Sequence, residues 1–250
     1  MTIEIRANPD DENSEVVNRL TRAVAPFRVA RYPVTIAQFR VFLDQCHGQD
    51  GWHLPPGFMV ALSADYPPPK HRTRHGNHPA DTVNWWDARA FCHWLSTRLK
   101  FEVRLPTEYE WQLAATGGDL KRRYPWGADW DPAKEPWRAN TSESELGRST
   151  AVGMYPTGAS PAGICDMAGT LWEWCVDPFE TSETRGGTWF GRLLSKPSVE
   201  QDRRVLRGGS WYDNRVYARS ATRSRDDPYG RFGSVGFRVV CSSPSLGTDH

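Results

Sequence analysis

Three groups of residues in this 250-residue chain have types and spacings that could do chemistry. His71, His75 and His78 form an HxxxHxxH pattern, and imidazoles gathered in this way suit a transition metal. They lie in a Pro- and Gly-rich stretch, 48–78, which reads as a long surface insertion where histidines are solvated and no acidic partner stands nearby. Cys46, Cys92, Cys165, Cys175 and Cys241 are odd in number, scattered and without a CxxC, which argues against a disulfide framework and against zinc. Ser210 lacks the G-x-S-x-G elbow of a hydrolase nucleophile. The third group is a segment, 212–240. Lys, Glu, Gln, Met and Trp are absent from it, although Trp alone occurs 12 times in the chain. Tyr, Asp, Ser, Gly, Asn, Thr and Phe take their place, and such a mixture builds adaptable contact surfaces.

Helices and short strands must position these groups. The periodicity predicts helices over residues 14–24, over Val34 to Gln45 with Thr35 as cap, and from Asn84 or Trp85 to Leu99 with Trp86, Ala90, Trp94 and Leu95 on one face. A further helix, Thr107 to Ala115, opens with the capping box Thr107-Glu108-Tyr109-Glu110. Beyond Gly117 short strands dominate, among them Arg204 to Arg207 and Gly236 to Val240, and in WEW (172–174) the two tryptophans should face opposite to Glu173. Helices early and strands late give an α+β class, read as one domain over 1–250 and a monomer. Lys+Arg 31 against Asp+Glu 30 leaves +1, which recommends neither nucleic acid nor an anionic membrane as partner. The polar, acidic first residues resemble no signal peptide, and no apolar run reaches the roughly 18 residues of a membrane span. The expected location is cytoplasmic.

Particular strings then narrow the reading: RYPVTIAQF (31–39), HPADTVNWWDARAFCHWL (78–95), RLPTEYEWQLAA (104–115), YPWG (124–127), VGMYPTGASPAGICDMAGTLWEW (152–174), RVLRGGSW (204–211) and GFRVV (236–240). In this order the chain resembles the formylglycine-generating-enzyme (sulfatase-modifying factor) family over about 27–240. The resemblance implies an irregular, loop-rich C-type lectin-like fold. Oxidases of that family use a cysteine pair shortly after GGS to bind copper, whereas here Asp213 stands about where the first cysteine should be and no cysteine occurs from Val176 to Val240. A second branch resembles the sulfoxide synthases of ergothioneine synthesis, whose added N-terminal helical domain holds iron with three histidines. The chain is too short to add such a domain, so neither copper nor iron is expected. The family resemblance also implies a structural Ca2+ held by Asp166, Gly169, Leu171 and Glu173, all oxygen donors as a hard cation requires.

The C-terminal pattern resembles the variable proteins of diversity-generating retroelements. That resemblance implies a fixed frame, with Arg207 to Trp211, Arg219 to Ala221, Arg223, Pro228 and Gly236 to Arg238, inside a diversified region, 204–240. Its variable, ligand-binding positions would be Tyr212, Asp213, Asn214, Val216, Tyr217, Thr222, Ser224, Asp226, Asp227, Tyr229, Gly230, Phe232, Gly233 and Ser234. The expected function is accordingly a non-catalytic binder of a protein or other macromolecule. The alternative is an enzyme of the oxidase or sulfoxide-synthase type.

Overall fold

The structure is a computed structural model and describes residues 2–5, 20–23, 26–48, 51–52, 67–131, 138–179 and 203–242. Its elements run β1 (Thr2–Ile5), β2 (Leu20–Ala23), β3 (Phe27–Val29), α1 (Ile36–Cys46), β4 (His47–Gly48), β5 (Gly51–Trp52), α2 (Trp85–Leu99), β6 (Val103–Arg104), α3 (Glu108–Thr116), β7 (Trp172–Pro178), β8 (Arg204–Arg207), β9 (Arg223–Asp226), β10 (Val235–Gly236) and β11 (Val240–Ser242). One of them corrects the sequence reading. Residues 20–23 form a strand against β1 rather than the end of a helix, and 14–19 lie outside the described residues. Of the insertion, 49–50 and 53–66 also lie outside them.

Each of the three α-helices among the described residues starts at a reciprocal cap. The Gln38 N–H donates to Thr35 Oγ1 while Gln38 Oε1 accepts from the Thr35 N–H, and Asn84 with Asp87 and Thr107 with Glu110 repeat the arrangement. Helix α1 buries Ile36, Phe39, Phe42 and Cys46. In α2 the deeply buried face is Trp85, Ala88, Phe91 and Cys92, with Ala90, while Trp86, Trp94 and Leu95 are only partly covered. The face expected from periodicity is therefore rotated by about one residue, because Trp85 Nε1 finds the Cys175 carbonyl at 2.9 Å inside the core.

The principal sheet has the order β10-β7-β8-β9, with β7–β8 and β8–β9 antiparallel and β10 parallel to β7. The expected strand over 236–240 is split between two sheets. Val235–Gly236 pairs with β7, then Phe237 and Arg238 dip into the interior, and Val240–Ser242 joins β3 and β6. Strand β7 divides the core by simple alternation. Trp172 and Trp174 pack with Phe39, Phe42, Phe91 and Phe237, whereas Glu173 and Cys175 face the side of Trp111, Met167 and Val205. No helix among the described residues is long and apolar enough to cross a membrane.

Candidate functional site

The frame of the C-terminal face is held by buried arginines. Arg207 is fully buried and donates to Gln112 and to the carbonyls of Ser220, Ala221 and Thr222. The chain then turns at Gly208 (φ 98°) and Gly209 (φ 72°), where a Cβ would press on Trp111 and on the Tyr217 backbone, so glycine is required at both positions. Arg238 spans the interior from the other side. Its guanidinium donates to both oxygens of Glu173 at 2.6 and 2.7 Å, and Trp111 Nε1 adds a third donor at 2.7 Å.

On this frame, Asp213 forms a polar node. Its Oδ2 accepts from Trp172 Nε1 at 2.8 Å and from Ser210 Oγ at 2.5 Å, and its backbone oxygen accepts from the Ser142 N–H. Tyr217 meets the Trp172 ring edge-on and is half-buried. Around the node Tyr212, Asn214, Asp227, Tyr229 and Phe232 are exposed, Tyr212 at 74%. Val216, Ser224, Asp226, Gly230, Gly233 and Ser234 are intermediate, and Ser224 and Asp226 sit on β9 in register with Leu206 and Arg204. Thr222 is buried, with its hydroxyl donating to the Val216 carbonyl. Gly233 packs so closely under Arg72 that a Cβ would collide with that side chain. The predicted set therefore contains an exposed aromatic group and several positions tied into the frame.

The residues implied as calcium ligands are arranged otherwise. Asp166 (φ 58°) accepts the Gly153 N–H at 2.7 Å, and burial together with the neighbouring Glu173 pushes its carboxyl up. The Gly169 carbonyl accepts from the Leu171 N–H. Glu173 already has the Arg238 guanidinium on both oxygens, so a divalent cation does not fit there as the set stands.

Beside the node, Arg72 lies over the Trp211 ring at 4.8 Å and lines a cavity of about 540 Å3. His75 and His78 line it with ring centroids 5.4 Å apart. His71 does not share it as a third free imidazole. Its Nδ1 donates to the Asp81 backbone oxygen at 2.7 Å, its ring meets Phe39 edge-on, and its side chain is 7% exposed rather than solvated. The acidic partner missing from the pattern is Asp81, three residues beyond His78 in HPAD, with its Oδ1 3.5 Å from His71 Nδ1. Arg72, Asp81, Arg148 and Trp172 are the site residues the sequence reading passes over. Only Asp81 carried a readable signal, its proximity to the histidines. Among the described residues no group of three or more His, Cys, Asp or Glu is placed to hold a metal ion.

The family model described as the sulfatase-modifying factor enzyme 1-like domain matches residues 2–243, and the chain belongs to this family. A hercynine oxygenase of Mycobacterium tuberculosis is 34% identical over 243 residues, covering 87% of this chain and 53% of that protein. The chain spans about half the length of the curated relatives it matches first. Among solved structures, PvdO from Pseudomonas aeruginosa has a TM-score of 0.75 at 23% identity, covering 97% of this chain and 92% of that one. Treponema denticola variable protein 1 has a TM-score of 0.67 at 20% identity, covering 97% and 95%. These two likenesses are of fold, which is the α+β, C-type lectin-like architecture the sequence implied. The expectation of a non-catalytic display scaffold is overturned, because a relative 34% identical across most of the chain is named as an enzyme. Of the positions expected to vary, Asp213, Thr222 and Gly233 are committed to internal contacts.

Proposed function

We propose that the chain is the lectin-like portion of an oxygenase of the hercynine-oxygenase kind, with its C-terminal face binding the substrate. The observation that carries this reading is the 34% identity to a hercynine oxygenase over 87% of the chain. Hercynine is the N-trimethylated betaine of histidine, and aromatic π-faces attract a quaternary ammonium. Tyr212, Tyr229 and Phe232 are the exposed aromatic side chains of this face, and Tyr212 is braced edge-on by Trp211 at 5.8 Å. A copper oxidase has less support, because Asp213 sits bonded to Trp172 and Ser210 about where a thiolate would be needed.

The resemblance to sulfoxide synthases implies iron held by three histidines of an added N-terminal domain, and the histidines of the cavity do not substitute for them. His71 is turned away into its contacts with Asp81 and Phe39, which leaves two imidazoles in the cavity. No step is therefore assigned to iron here. The part this chain plays is to bind and orient the betaine on its aromatic face.

Calorimetric titration of the chain with hercynine tests the reading. Saturable binding is expected, weakened about tenfold in Tyr212→Ala, which is the loss of one cation–π contact of about 1–2 kcal/mol. Absence of saturable binding overturns it, and copper-dependent oxidation of a thiol peptide would put the oxidase in its place.

A further inference from the structure

The cavity beside Trp211 has a composition the oxygenase reading does not use. Its volume of about 540 Å3 is of the size that encloses small molecules. Two guanidinium side chains line it, Arg72 and Arg148, and stacking on Trp211 holds the first in place. His78 adds little charge. Burial, then His75 and Arg148, push the His78 imidazole below its ordinary value, and its Nδ1 lies 3.2 Å from Ser149 Oγ. An apolar wall is supplied by Leu146 and Met154, which are 44% and 60% exposed although large and hydrophobic.

Asp81 is the feature that points to a ligand. It lines the cavity yet is 1% exposed. Its Oδ1 accepts from the Arg72 N–H at 2.9 Å and from Thr82 Oγ1 at 3.3 Å, while its Oδ2 is buried and has no hydrogen-bond partner. A buried acceptor left bare costs on the order of 1–3 kcal/mol, more when charged, so such an atom on a residue that lines a cavity marks a place for a donor. A guanidinium cannot be that donor from its present position, since Arg72 is stacked on Trp211 and meets Asp81 through its backbone N–H.

We propose that this cavity binds a free α-amino acid with an apolar side chain. Its carboxylate pairs with Arg72 and Arg148, its ammonium donates to Asp81 Oδ2, and its side chain lies on Leu146 and Met154. Guanidinium recognises carboxylate through paired N–H donors, which fixes orientation as well as affinity. The requirement for an N–H on the ligand separates this site from one for a betaine, whose trimethylated nitrogen has nothing to donate. The assignment does not depend on the oxygenase reading, because it is measured by binding alone and concerns a different ligand class.

Titration of the full chain with L-leucine, N,N,N-trimethyl-L-leucine and acetate tests it. Leucine should bind saturably and at least tenfold more tightly than its betaine or acetate. Arg148→Ala should weaken leucine at least tenfold, and Asp81→Asn should abolish the preference for leucine over the betaine. Equal affinity for leucine and betaine, acetate binding as tightly as leucine, or no saturation by leucine to about 10 mM each overturns the proposal. Should Asp81→Asn fail to fold, the ligand comparison on the unaltered chain and Arg148→Ala, an exposed position, decide the question.

Discussion

Two buried carboxylates in this molecule have opposite surroundings. Glu173 and Asp81 are each 1% exposed. Glu173 receives two donors from Arg238 and one from Trp111, so its charge is neutralised and its oxygens are filled from inside the frame. Asp81 has one oxygen filled by Arg72 and Thr82 and the other left bare at a cavity. The difference separates a carboxylate that makes the fold from one the fold holds ready. Both are equally buried, and only the list of donors tells them apart.

The sharpest way to break that comparison is Glu173→Gln. It leaves the fully buried Arg238 without a counter-charge, so unfolding in urea should show a loss of about 3–5 kcal/mol. A loss below about 1 kcal/mol would mean that the frame does not depend on this pair. Among the other carboxylates, Glu110 closes the α3 cap and takes the Arg104 guanidinium on both oxygens at 2.6 and 2.7 Å. Burial pushes its carboxyl up, but Arg104 and the Thr107 donors outweigh this, and it titrates below its ordinary value. A depressed folded value contributes stability above the unfolded value, and this is lost as pH falls through the folded one. As pH falls from about 6 to about 3 the chain should therefore lose stability that Glu110→Gln does not lose, and parallel pH profiles would refute the assignment.

Much of this frame was legible in the sequence, for identifiable reasons. Capping is local chemistry, so Thr107 with Glu110 could be read at a spacing of three residues, and the alternation of WEW follows from the pleat. What could not be read were choices made by partners far along the chain. The buried face of α2 is set by a hydrogen bond from Trp85 to Cys175, 90 residues away. The node at Asp213 needs Trp172, and the cavity joins 72–81 to 146–154 across the molecule. The composition of 212–240 marks a segment rich in tyrosine and short polar residues, but composition cannot show which of its positions are tied from beneath, as Thr222 and Gly233 are.

Asp81→Asn is the counterpart of Glu173→Gln. The amide keeps an acceptor for Arg72 and Thr82 and alters only the bare position, so without ligand the change in unfolding free energy should stay within about 1 kcal/mol. A loss as large as that expected for Glu173 would mean Asp81 is an ordinary frame residue and would erase the distinction between the two.

The smallest expected effect concerns Asp166, Gly169, Leu171 and Glu173, the set implied as a calcium site. A divalent cation earns its place among buried carboxylates by supplying positive charge, and here Arg238 supplies it at 2.6 Å from Glu173. A cation added beside that guanidinium would face its repulsion and would find both Glu173 oxygens already accepting. Asp166, for its part, spends an oxygen on the Gly153 N–H. Thermal unfolding in excess chelator and in millimolar calcium should therefore give the same midpoint. A midpoint that falls by several degrees with chelator and is restored by calcium would show that the ion displaces part of the Arg238 pairing, and the Glu173 side of the comparison would then have to be redrawn around the cation.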